Sequence, residues 1–422
     1  MNKENIKQIL IEQSEEVKRL FRQKIIPRGI VSEAKGIFAS DLIKVITGIR
    51  RCGKSVLSHY LLKDSRYGYV NFDDERLISV KAEDLNDFLE VLIEIDPDLK
   101  DILLDEVQNV EGWELFINRL KRDGYNLIVT GSNSRLLSKE LSTHLTGRHF
   151  TIELYPFSFR EFLLYNNFSF DKKDLYITKQ KAKIKKMLKE YIENGGLPEV
   201  YKVEPKKQYL RELYDRIITR DIISRYNVKY AKDLKEIALF SISNFASKIS
   251  YNKIKNIFEM KSVHTVKNYL HYLEEAYLLF QVNAFSHKLK EQIKLPKKIY
   301  CIDTGIINSI VPRSTLDYGK LLENLVFIEL KRRGSEIYIY SKPNCEVDFV
   351  VKEGLAIRQL IQVSYSIKDE KTKKREIKAL IEASRDLDCS RLTLITWDEE
   401  GEEEIESKKI YYIPAWKWLL EQ

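Results

Sequence analysis

The chain has 422 residues, of which 44% are hydrophobic and 32% are charged, and this composition excludes a disordered protein. Its length is enough for two or three domains that each bury a core. No apolar run reaches the roughly 18 residues that a membrane helix needs, and the formal net charge of +8 is compatible with an anionic partner.

The first predicted elements are an amphipathic helix and a buried strand. Ile6, Leu10 and Phe21 belong to a set of apolar residues that recur at helical spacing near the N-terminus. Residues 42–47 then form an apolar run of strand character, and residues 56–62 have the pattern of a helix. A strand, a glycine-bounded loop and a helix form the arrangement in which a backbone can wrap a phosphate group.

The loop between the strand and the helix reads G-I-R-R-C-G-K-S, which has the spacing of a phosphate-binding loop. Its glycines let backbone N–H groups turn toward a phosphate chain, and the helix N-terminus adds a partial positive charge. Lys54 supplies a cation for the β and γ phosphates of a nucleotide, and Ser55 supplies a hydroxyl for Mg²⁺. The predicted nucleotide-binding residues are Gly48, Arg51, Cys52, Gly53, Lys54, Ser55 and Val56.

A second buried strand ends in two acids, as a nucleotide hydrolase requires. Residues 102–104 are Ile-Leu-Leu, and Asp105 and Glu106 follow them. An acid at this place holds the Mg²⁺ shell, and a second acid orients or deprotonates the attacking water. We therefore predict Ser55 and Asp105 as metal-binding residues and Glu106 as the catalytic base.

Polar residues also follow the next predicted strand, residues 126–130. Ser132 and Asn133 are both candidates for sensing the γ-phosphate, and Asn133 is placed in the predicted catalytic set. Arg148 comes shortly before a strand at residues 150–154, where an arginine can reach a nucleotide of its own or of a neighbouring subunit. An exposed arginine at the end of a helix gives the same pattern, so both interpretations of Arg148 stay open.

Strands alternate with helices through residues 1–155, which predicts an α/β fold with a five-stranded parallel sheet and helices on both faces. Ligands of such sheets bind at the carboxyl ends of the strands. We expect all the site residues named so far to lie at that edge. The run Asp73-Asp74-Glu75-Arg76, which follows a predicted strand at residues 68–72, is expected there as well, as a loop with contacts to nucleotide or partner.

Residues 156–290 are predicted to form a helical lid and a winged helix-turn-helix. The segment 161–300 holds 28 Lys and Arg residues and 16 Asp and Glu residues, and so carries a net charge of +12. Lys267 lies on the polar face of a helix predicted at residues 263–277, which can enter the major groove of DNA. A solvated surface on a packing module gives the same pattern, so DNA binding through residues 236–290 is one of two open interpretations.

Residues 291–422 have the outline of a metal-dependent nuclease core. A predicted helix that carries Glu323 is followed by strands that carry Asp348 and Gln362. Nucleases of this outline bind Mg²⁺ through acids and place a lysine near the attacking water. Ser364 stands where that lysine is expected and Gln362 replaces an acid, so we expect a nuclease-like fold without efficient cleavage.

In this order, the motifs resemble those of a family of prokaryotic ATPases, common in archaea. Its members join an AAA-like ATPase domain to a C-terminal module related to the PD-(D/E)XK nucleases. The resemblance covers nearly the whole chain and rests on T-G-I-R-R-C-G-K-S at 47–55, N-F-D-D-E-R-L at 71–77, L-D-E-V-Q at 104–108, T-G-S at 130–132, G-R at 147–148, G-G-L-P at 195–198 and E-V-D-F at 346–349. It implies ATP, and not GTP, as the nucleotide.

These predictions combine into an Mg²⁺-dependent ATPase that hydrolyses ATP to ADP and phosphate and couples turnover to motion of a basic C-terminal region. A homo-oligomer or a protein partner is expected, and no membrane. Two alternatives are a DNA-binding regulator that uses ATP as a switch and an ATP-regulated nuclease. The four cysteines lack metal-ligand spacing and the N-terminus lacks the apolar core of a signal peptide, so we expect a cytoplasmic protein.

Overall fold

The computed structural model divides the chain into two compact units. The described residues are 1–38, 40–133, 147–171, 173–312, 317–343 and 345–421. The first unit comprises residues 1–154 together with 275–277, and the second comprises residues 155–274 and 278–422. Among the described residues, no helix is long and apolar enough to cross a membrane.

Five parallel strands form the sheet of the first unit, in the spatial order β2-β3-β4-β1-β5. The strands are β1 (Ile43–Thr47), β2 (Tyr67–Asn71), β3 (Asp101–Asp105), β4 (Asn126–Gly131) and β5 (His149–Glu153). The helices are α1 (Lys3–Phe21), α2 (Ile30–Phe38), α3 (Lys54–Leu61), α4 (Leu85–Ile95) and α5 (Trp113–Arg122). The prediction of a five-stranded parallel sheet is confirmed, and β4 lies between the strand that ends in Asp105 and the strand that leads into the phosphate loop.

The inner strands of this sheet are buried on both faces, which is why their sequences are almost wholly apolar. Every residue of β1 is buried, and in β3 only Asp101 is partly exposed. Helix α1 packs on β2 and α4 and buries Ile6 and Leu10. Phe21, which we predicted on the same apolar face, is instead exposed because it is the last residue of α1.

The chain after β5 is mainly helical until the last strands. Its helices are α6 (Phe159–Tyr165), α7 (Thr178–Asn194), α8 (Lys206–Arg216), α9 (Ala231–Ser243), α10 (Tyr251–Ile257), α11 (Val263–Glu275), α12 (Leu289–Lys294), α13 (Thr304–Ile310), α14 (Tyr318–Arg332), α15 (Glu370–Asp386) and α16 (Ala415–Trp418). The predicted helix at 263–277 therefore ends at Glu275. The Leu278 N–H closes this end by bonding back to the Leu273 carbonyl at 3.0 Å.

A three-stranded antiparallel sheet, in the order β6-β8-β7, accompanies helices α9 to α11. Its strands are β6 (Ser247–Ile249), β7 (Leu279–Val282) and β8 (Lys297–Cys301). The sequence grouped β8 with residues 291–422, whereas its backbone pairs with β6 and β7. Burial explains the pairing, because Ile299 and Tyr300 of β8 are both completely covered.

A mixed six-stranded sheet, in the order β13-β14-β12-β11-β10-β9, forms the last part of the second unit. Its strands are β9 (Glu336–Lys342), β10 (Cys345–Glu353), β11 (Ala356–Val363), β12 (Leu392–Thr396), β13 (Gly401–Ile405) and β14 (Lys408–Pro414). The pairing of β10 with β9 slips by one residue between Val347 and Val350, which is a β-bulge at Asp348. A mixed sheet does not by itself define a nuclease fold, so the nuclease-like assignment of residues 291–422 stays a prediction.

Candidate nucleotide-binding site and a buried acid cluster

The phosphate loop follows β1 at the carboxyl edge of the first sheet. Gly48 has a φ of +149°, and a Cβ there would lie 2.2 Å from the Leu154 carbonyl oxygen, so only glycine fits. Gly53 has a φ of +100° and caps α3, which begins at Lys54. Arg51 holds a left-handed φ of 68° although it carries a side chain, a strained conformation of the kind that clusters at binding sites.

The side chain of Lys54 is buried and folds back along this loop. Its ammonium donates to the carbonyl oxygens of Gly48 (3.2 Å) and Ile49 (3.4 Å) and lies 3.3 Å from Glu106 Oε1. Burial alone lowers the pKa of Lys54, but nearby acids, above all Glu106, outweigh burial and raise the pKa. Lys54 therefore stays charged inside the first unit, as a phosphate-binding cation must.

Ser55 and Asp105, the two predicted metal-binding residues, are brought together by α3 and β3. The Ser55 hydroxyl hydrogen-bonds to Asp105, and Thr130 Oγ1 donates to Asp105 Oδ1. Burial raises the pKa of Asp105, and the neighbouring Glu106 acts in the same direction, while the two hydroxyl groups oppose the rise. A hydroxyl in contact with a carboxylate is an oxygen donor set that suits Mg²⁺, so these residues fit the ion.

Glu106 follows β3 with a left-handed φ of 50°. Its carboxylate accepts hydrogen bonds from the Gln108 side chain and from the Ser132 backbone N–H (3.1 Å). Its own N–H donates to Thr130 Oγ1 at 3.1 Å. Burial raises the pKa of Glu106, but nearby cations, Lys54 first, lower it to about 2. The carboxylate is therefore ionised and held beside the phosphate loop.

Arg50 is a candidate that the sequence analysis missed. Its guanidinium pairs with Asp73 Oδ2 at 3.2 Å, and the Arg50 side chain is only 10% exposed. Arg50 is also one of the cations that lower the pKa of Glu106. The sequence alone does not tell which of the two adjacent loop arginines is buried. In the structure Arg50 is buried and Arg51 is exposed.

The N-terminal segment also contacts the site, which the sequence analysis did not foresee. Arg28 Nη1 donates to the Cys52 carbonyl in the phosphate loop at 2.9 Å. Gln13 of α1 binds the backbone of Asn71 as donor (3.1 Å) and as acceptor (2.9 Å), and it donates to Asp74 Oδ2 (3.0 Å). The sequence did contain a signal for Gln13. It is a polar residue on the face of α1 that the apolar spacing predicts to be buried.

The two candidates for the γ-phosphate lie together at the end of β4. The Ser132 backbone N–H contacts Glu106 directly, and the side chains of both Ser132 and Asn133 are buried. The structure thus brings both residues to the carboxyl edge of the sheet. The choice of Asn133 over Ser132 stays a prediction.

Arg148 lies at the opposite edge of the sheet from the phosphate loop. Strand β5 runs parallel to β1 with His149 opposite Ile43, and the Arg148 carbonyl accepts the Ile43 N–H at 2.9 Å. The loop begins after Thr47, a whole strand further along, or roughly 16 Å away at the usual rise. The expectation that every site residue lies at the carboxyl edge is therefore wrong for Arg148, because it precedes its strand. Its action on a neighbouring subunit stays a prediction.

A second polar cluster lies in the second unit, around Lys298 of β8. The Lys298 ammonium lies 2.6 Å from Glu323 Oε1, 2.9 Å from Glu346 Oε1 and 2.8 Å from Asp348 Oδ1. Burial lowers the pKa of Lys298, but the surrounding acids, Asp348 first, raise it well above its usual value. This lysine was not predicted from the sequence, because only the fold brings β8 to the acids.

Further hydrogen bonds hold Asp348 in this cluster. Its Oδ2 accepts the Val363 N–H (3.0 Å), and its own N–H, at the bulge of β10, donates to Gln362 Oε1 (3.1 Å). Gln362 Nε2 donates in turn to Glu376 Oε2 at 2.6 Å. The structure thus brings Glu323, Asp348 and Gln362 close together, as we expected from the sequence.

Comparison with known proteins identifies the class of the first unit. A family model described as an AAA domain matches residues 40–163, and a model described as a domain of unknown function (DUF8612) matches residues 185–317. The parallel sheet, the phosphate loop and the first match define an ATP-binding P-loop domain of the AAA type.

Two curated relatives match along most of the chain. The chain is 37% identical over 445 residues to the uncharacterized protein MJ1544 of Methanocaldococcus jannaschii, covering 99% of this chain and 98% of that protein. It is 33% identical over 396 residues to an uncharacterized protein of Haemophilus influenzae, covering 89% and 94%. The chain belongs to the family that includes these two proteins.

Solved structures show only distant likenesses. One is the Aeropyrum pernix ORC1 protein in complex with DNA, at 11% identity and a TM-score of 0.31, covering 68% of this chain and 92% of that one. Another is the replication initiator DnaA bound to AMPPCP and single-stranded DNA, at 21% identity and a TM-score of 0.26, covering 58% and 86%.

Proposed function

We propose that this protein is an Mg²⁺-dependent ATPase that hydrolyses ATP to ADP and phosphate. The observation that carries the proposal is the meeting of four side chains at the carboxyl edge of the parallel sheet: Lys54, Ser55, Asp105 and Glu106. Together they supply a phosphate-binding cation, a hydroxyl with a carboxylate, and an ionised base. Phosphoryl transfer depends on positioning these groups around the transferred phosphate.

The binding roles follow from the geometry of the loop. Loop N–H groups and the Lys54 ammonium bind the phosphates, while the Ser55 hydroxyl and the Asp105 carboxylate would hold Mg²⁺. The ion supplies positive charge against the β and γ phosphates. Cys52, completely buried inside the loop, fills space there, and burial raises the pKa of its thiol, so it stays neutral.

Glu106 acts as the base in the hydrolysis step. It accepts a proton from the attacking water, whose oxygen bonds to the γ-phosphorus while the bond from that phosphorus to the β–γ bridging oxygen breaks and ADP leaves. Because Glu106 is paired with Lys54, an arriving γ-phosphate gives Lys54 a new anionic partner and releases the carboxylate for water. Once Lys54 has turned to the phosphate, it no longer lowers the pKa of Glu106, so this pKa rises and the carboxylate becomes a stronger base.

Arg50 supplies a further positive charge within the same chain. It lies in the phosphate loop near Glu106, and Asp73 orients its guanidinium. Arg148, by contrast, is at the far edge of the sheet. The transferred phosphate therefore meets Arg50 and not Arg148 of its own chain.

Phosphate release from Mg-ATP tests this proposal. We expect release by the wild type, none by Lys54→Ala because ATP binding is lost, and little by Glu106→Gln although it still binds ATP. Exposed Lys63 serves as the matched control for Lys54, and Lys63→Ala should behave as the wild type. ATP binding without release by the wild type would overturn hydrolysis and favour the nucleotide switch.

A second candidate function, a response to DNA, is favoured by the region that contains α9 to α11. The three helices and the three-stranded sheet ordered β6-β8-β7 support the proposal of a winged helix-turn-helix. Helix α11 buries Val266 and Leu270 and exposes His264, Lys267 and His271. This exposed face supports contact with a major groove, and salt-dependent binding of duplex DNA tests it.

A further inference from the structure

Three carboxylates of the acid cluster surround the ammonium of Lys298. Glu323 from α14 and Glu346 and Asp348 from β10 each direct one carboxylate oxygen to a single point. Hard divalent cations take carboxylate oxygens in this way in proteins. The atom at that point, however, is Nζ of Lys298, within 2.9 Å of all three oxygens.

The fold keeps the ammonium at this point. Lys298 comes from β8, which pairs with β6 and β7 and not with the sheet that carries Glu346 and Asp348. Its side chain is only 4% exposed, and its strand neighbour Tyr300 is completely buried. The Tyr300 hydroxyl donates to Glu323 Oε1 at 2.7 Å and so holds one acid toward the lysine. Because the backbone of β8 is paired on both sides, the base of the Lys298 side chain stays next to the acids.

The cluster lies at the wall of a cavity of about 630 Å³, whose lining includes Glu346, Asp348 and Gln362. Lys248, also in this lining, pairs with Glu346 Oε2 at 2.7 Å. Two lysines thus compensate most of the negative charge of the acids without an ion from solution. Among the described residues, no three His, Cys, Asp or Glu side chains are arranged to hold a metal ion.

We propose that Lys298 is the permanent cation of this cluster, in the place where a metal-dependent nuclease holds Mg²⁺. The residues present do not fit Mg²⁺, because an ammonium and a divalent cation cannot share one point. Ser364, at the position expected for a catalytic lysine, donates to the Ser366 carbonyl at 3.1 Å and supplies no charge. The cavity is therefore a metal-free site that does not cleave phosphodiesters. This inference is independent of ATP hydrolysis.

Mn²⁺ binding by the full chain tests the proposal. All proteins carry Asp105→Asn and are measured without nucleotide, so that the proposed nucleotide site contributes little. The chain with Lys298 intact is compared with Lys298→Ala, with Asp348→Asn and with Lys298→Ala/Asp348→Asn by electron paramagnetic resonance of free Mn²⁺. Lys248→Ala is the matched control, because it removes the other lysine that pairs with Glu346.

The proposal predicts a gain of metal binding on loss of the lysine. Lys298→Ala binds one additional Mn²⁺ per chain, and the double variant loses it, whereas Lys248→Ala binds no more than the chain with both lysines. Mn²⁺ binding that depends on Asp348 while Lys298 is present would overturn the proposal. Equal binding with and without Lys298 would overturn it as well.

Stability gives a second readout that needs no activity. Lys298→Ala leaves the buried Glu323 and Asp348 and the partly exposed Glu346 without their shared cation, so its melting temperature falls. Added Mn²⁺ should raise that temperature again and leave the chain with Lys298 unchanged. A variant that folds only when Mn²⁺ is present also supports the proposal, and a variant that fails to fold with and without Mn²⁺ contradicts it.

Discussion

The ammonium of Lys54 lies 3.3 Å from Oε1 of Glu106, so the proposed phosphate-binding cation and the proposed base are partners of each other. The pairing raises the pKa of Lys54 and lowers that of Glu106 to about 2. A nucleotide that recruits Lys54 must therefore separate the pair. Binding of the γ-phosphate by Lys54 and release of Glu106 from Lys54 therefore occur together. Glu106 becomes free to act as a base only when nucleotide is bound.

We predict that Arg50→Ala slows ATP hydrolysis about 100-fold, because it removes a buried cation beside the transferred phosphate. Asp73→Asn should slow it less, because the guanidinium remains but loses its orienting partner. Steady-state kinetics at saturating ATP measures both effects.

Arg66→Ala is the matched control for Arg50→Ala. Arg66 is exposed and precedes β2, so it lies at the end of that strand away from the phosphate loop. We expect turnover within about twofold of the wild type, a small change by the usual standard for surface substitutions. An equal loss in the Arg50 and Arg66 variants would contradict the role of Arg50.

Gly48→Ala is expected to destabilise the first unit and abolish ATP binding. The new Cβ would lie 2.2 Å from the Leu154 carbonyl oxygen, which the backbone can avoid only by moving the loop. Gly124→Ala is a matched control, because Gly124 also has a positive φ, +90°, but faces open space. Urea denaturation should show a cost of about 1–2 kcal/mol for Gly124→Ala, from the left-handed backbone alone, and a clearly larger cost for Gly48→Ala.

The local parts of the site were predictable from sequence. Glycines at the ends of a loop, a lysine at a helix start and two acids after an apolar strand are patterns of adjacent residues. Gly48, Lys54 and Asp105 therefore lie where the sequence placed them. The parallel sheet was predictable for the same reason, since apolar strands alternate with helices along the chain.

Contacts between distant stretches of chain were not predictable. Arg148 is an exception, because a residue that precedes a strand of a parallel sheet lies at the amino edge, and this order was already present in the sequence. Lys298 meets its acids only through the pairing of β8. The G-G-L-P motif is explained by Asp303, which accepts the Gly196 N–H at 2.6 Å and would lie 2.0 Å from a Cβ on Gly195.

His59 is expected to make the stability of the first unit depend on pH. It is buried against Tyr67, with its Nδ1 2.9 Å from the tyrosine hydroxyl, and burial lowers its pKa from 6.5 to about 4. At a pH between these two pKa values, His59 is protonated in the unfolded chain but stays neutral in the folded chain. The free energy of unfolding therefore falls as the pH drops through this window, by about 2 kcal/mol between pH 6.5 and pH 5.

Urea denaturation at pH 7 and at pH 5 gives the free energy of unfolding at each pH, and the difference between the two values measures this effect. His59→Gln should lose less stability than the wild type over this range. His264→Gln, at an exposed position on α11, should lose as much as the wild type. The same loss in all three proteins would remove His59 from this role.

Lys267→Ala is expected to weaken binding of duplex DNA and to reduce its salt dependence by about one released counterion. Lys267 lies on the exposed face of α11, with its ammonium over the Tyr251 ring. Lys232→Ala, at an exposed position on α9, is the matched control. Fluorescence anisotropy across a salt series measures both variants, and identical slopes would count against the DNA interface.

Steady-state phosphate release from Mg-ATP is the decisive measurement for hydrolysis at this site. It compares the wild type with Glu106→Gln and with Glu111→Gln, an exposed control, each with and without duplex DNA. We expect turnover by the wild type and by Glu111→Gln. We expect at least about 100-fold less for Glu106→Gln, with ATP bound at least as tightly because Lys54 has lost its competing partner. Turnover by Glu106→Gln at the wild-type rate would contradict the role of Glu106 as the base.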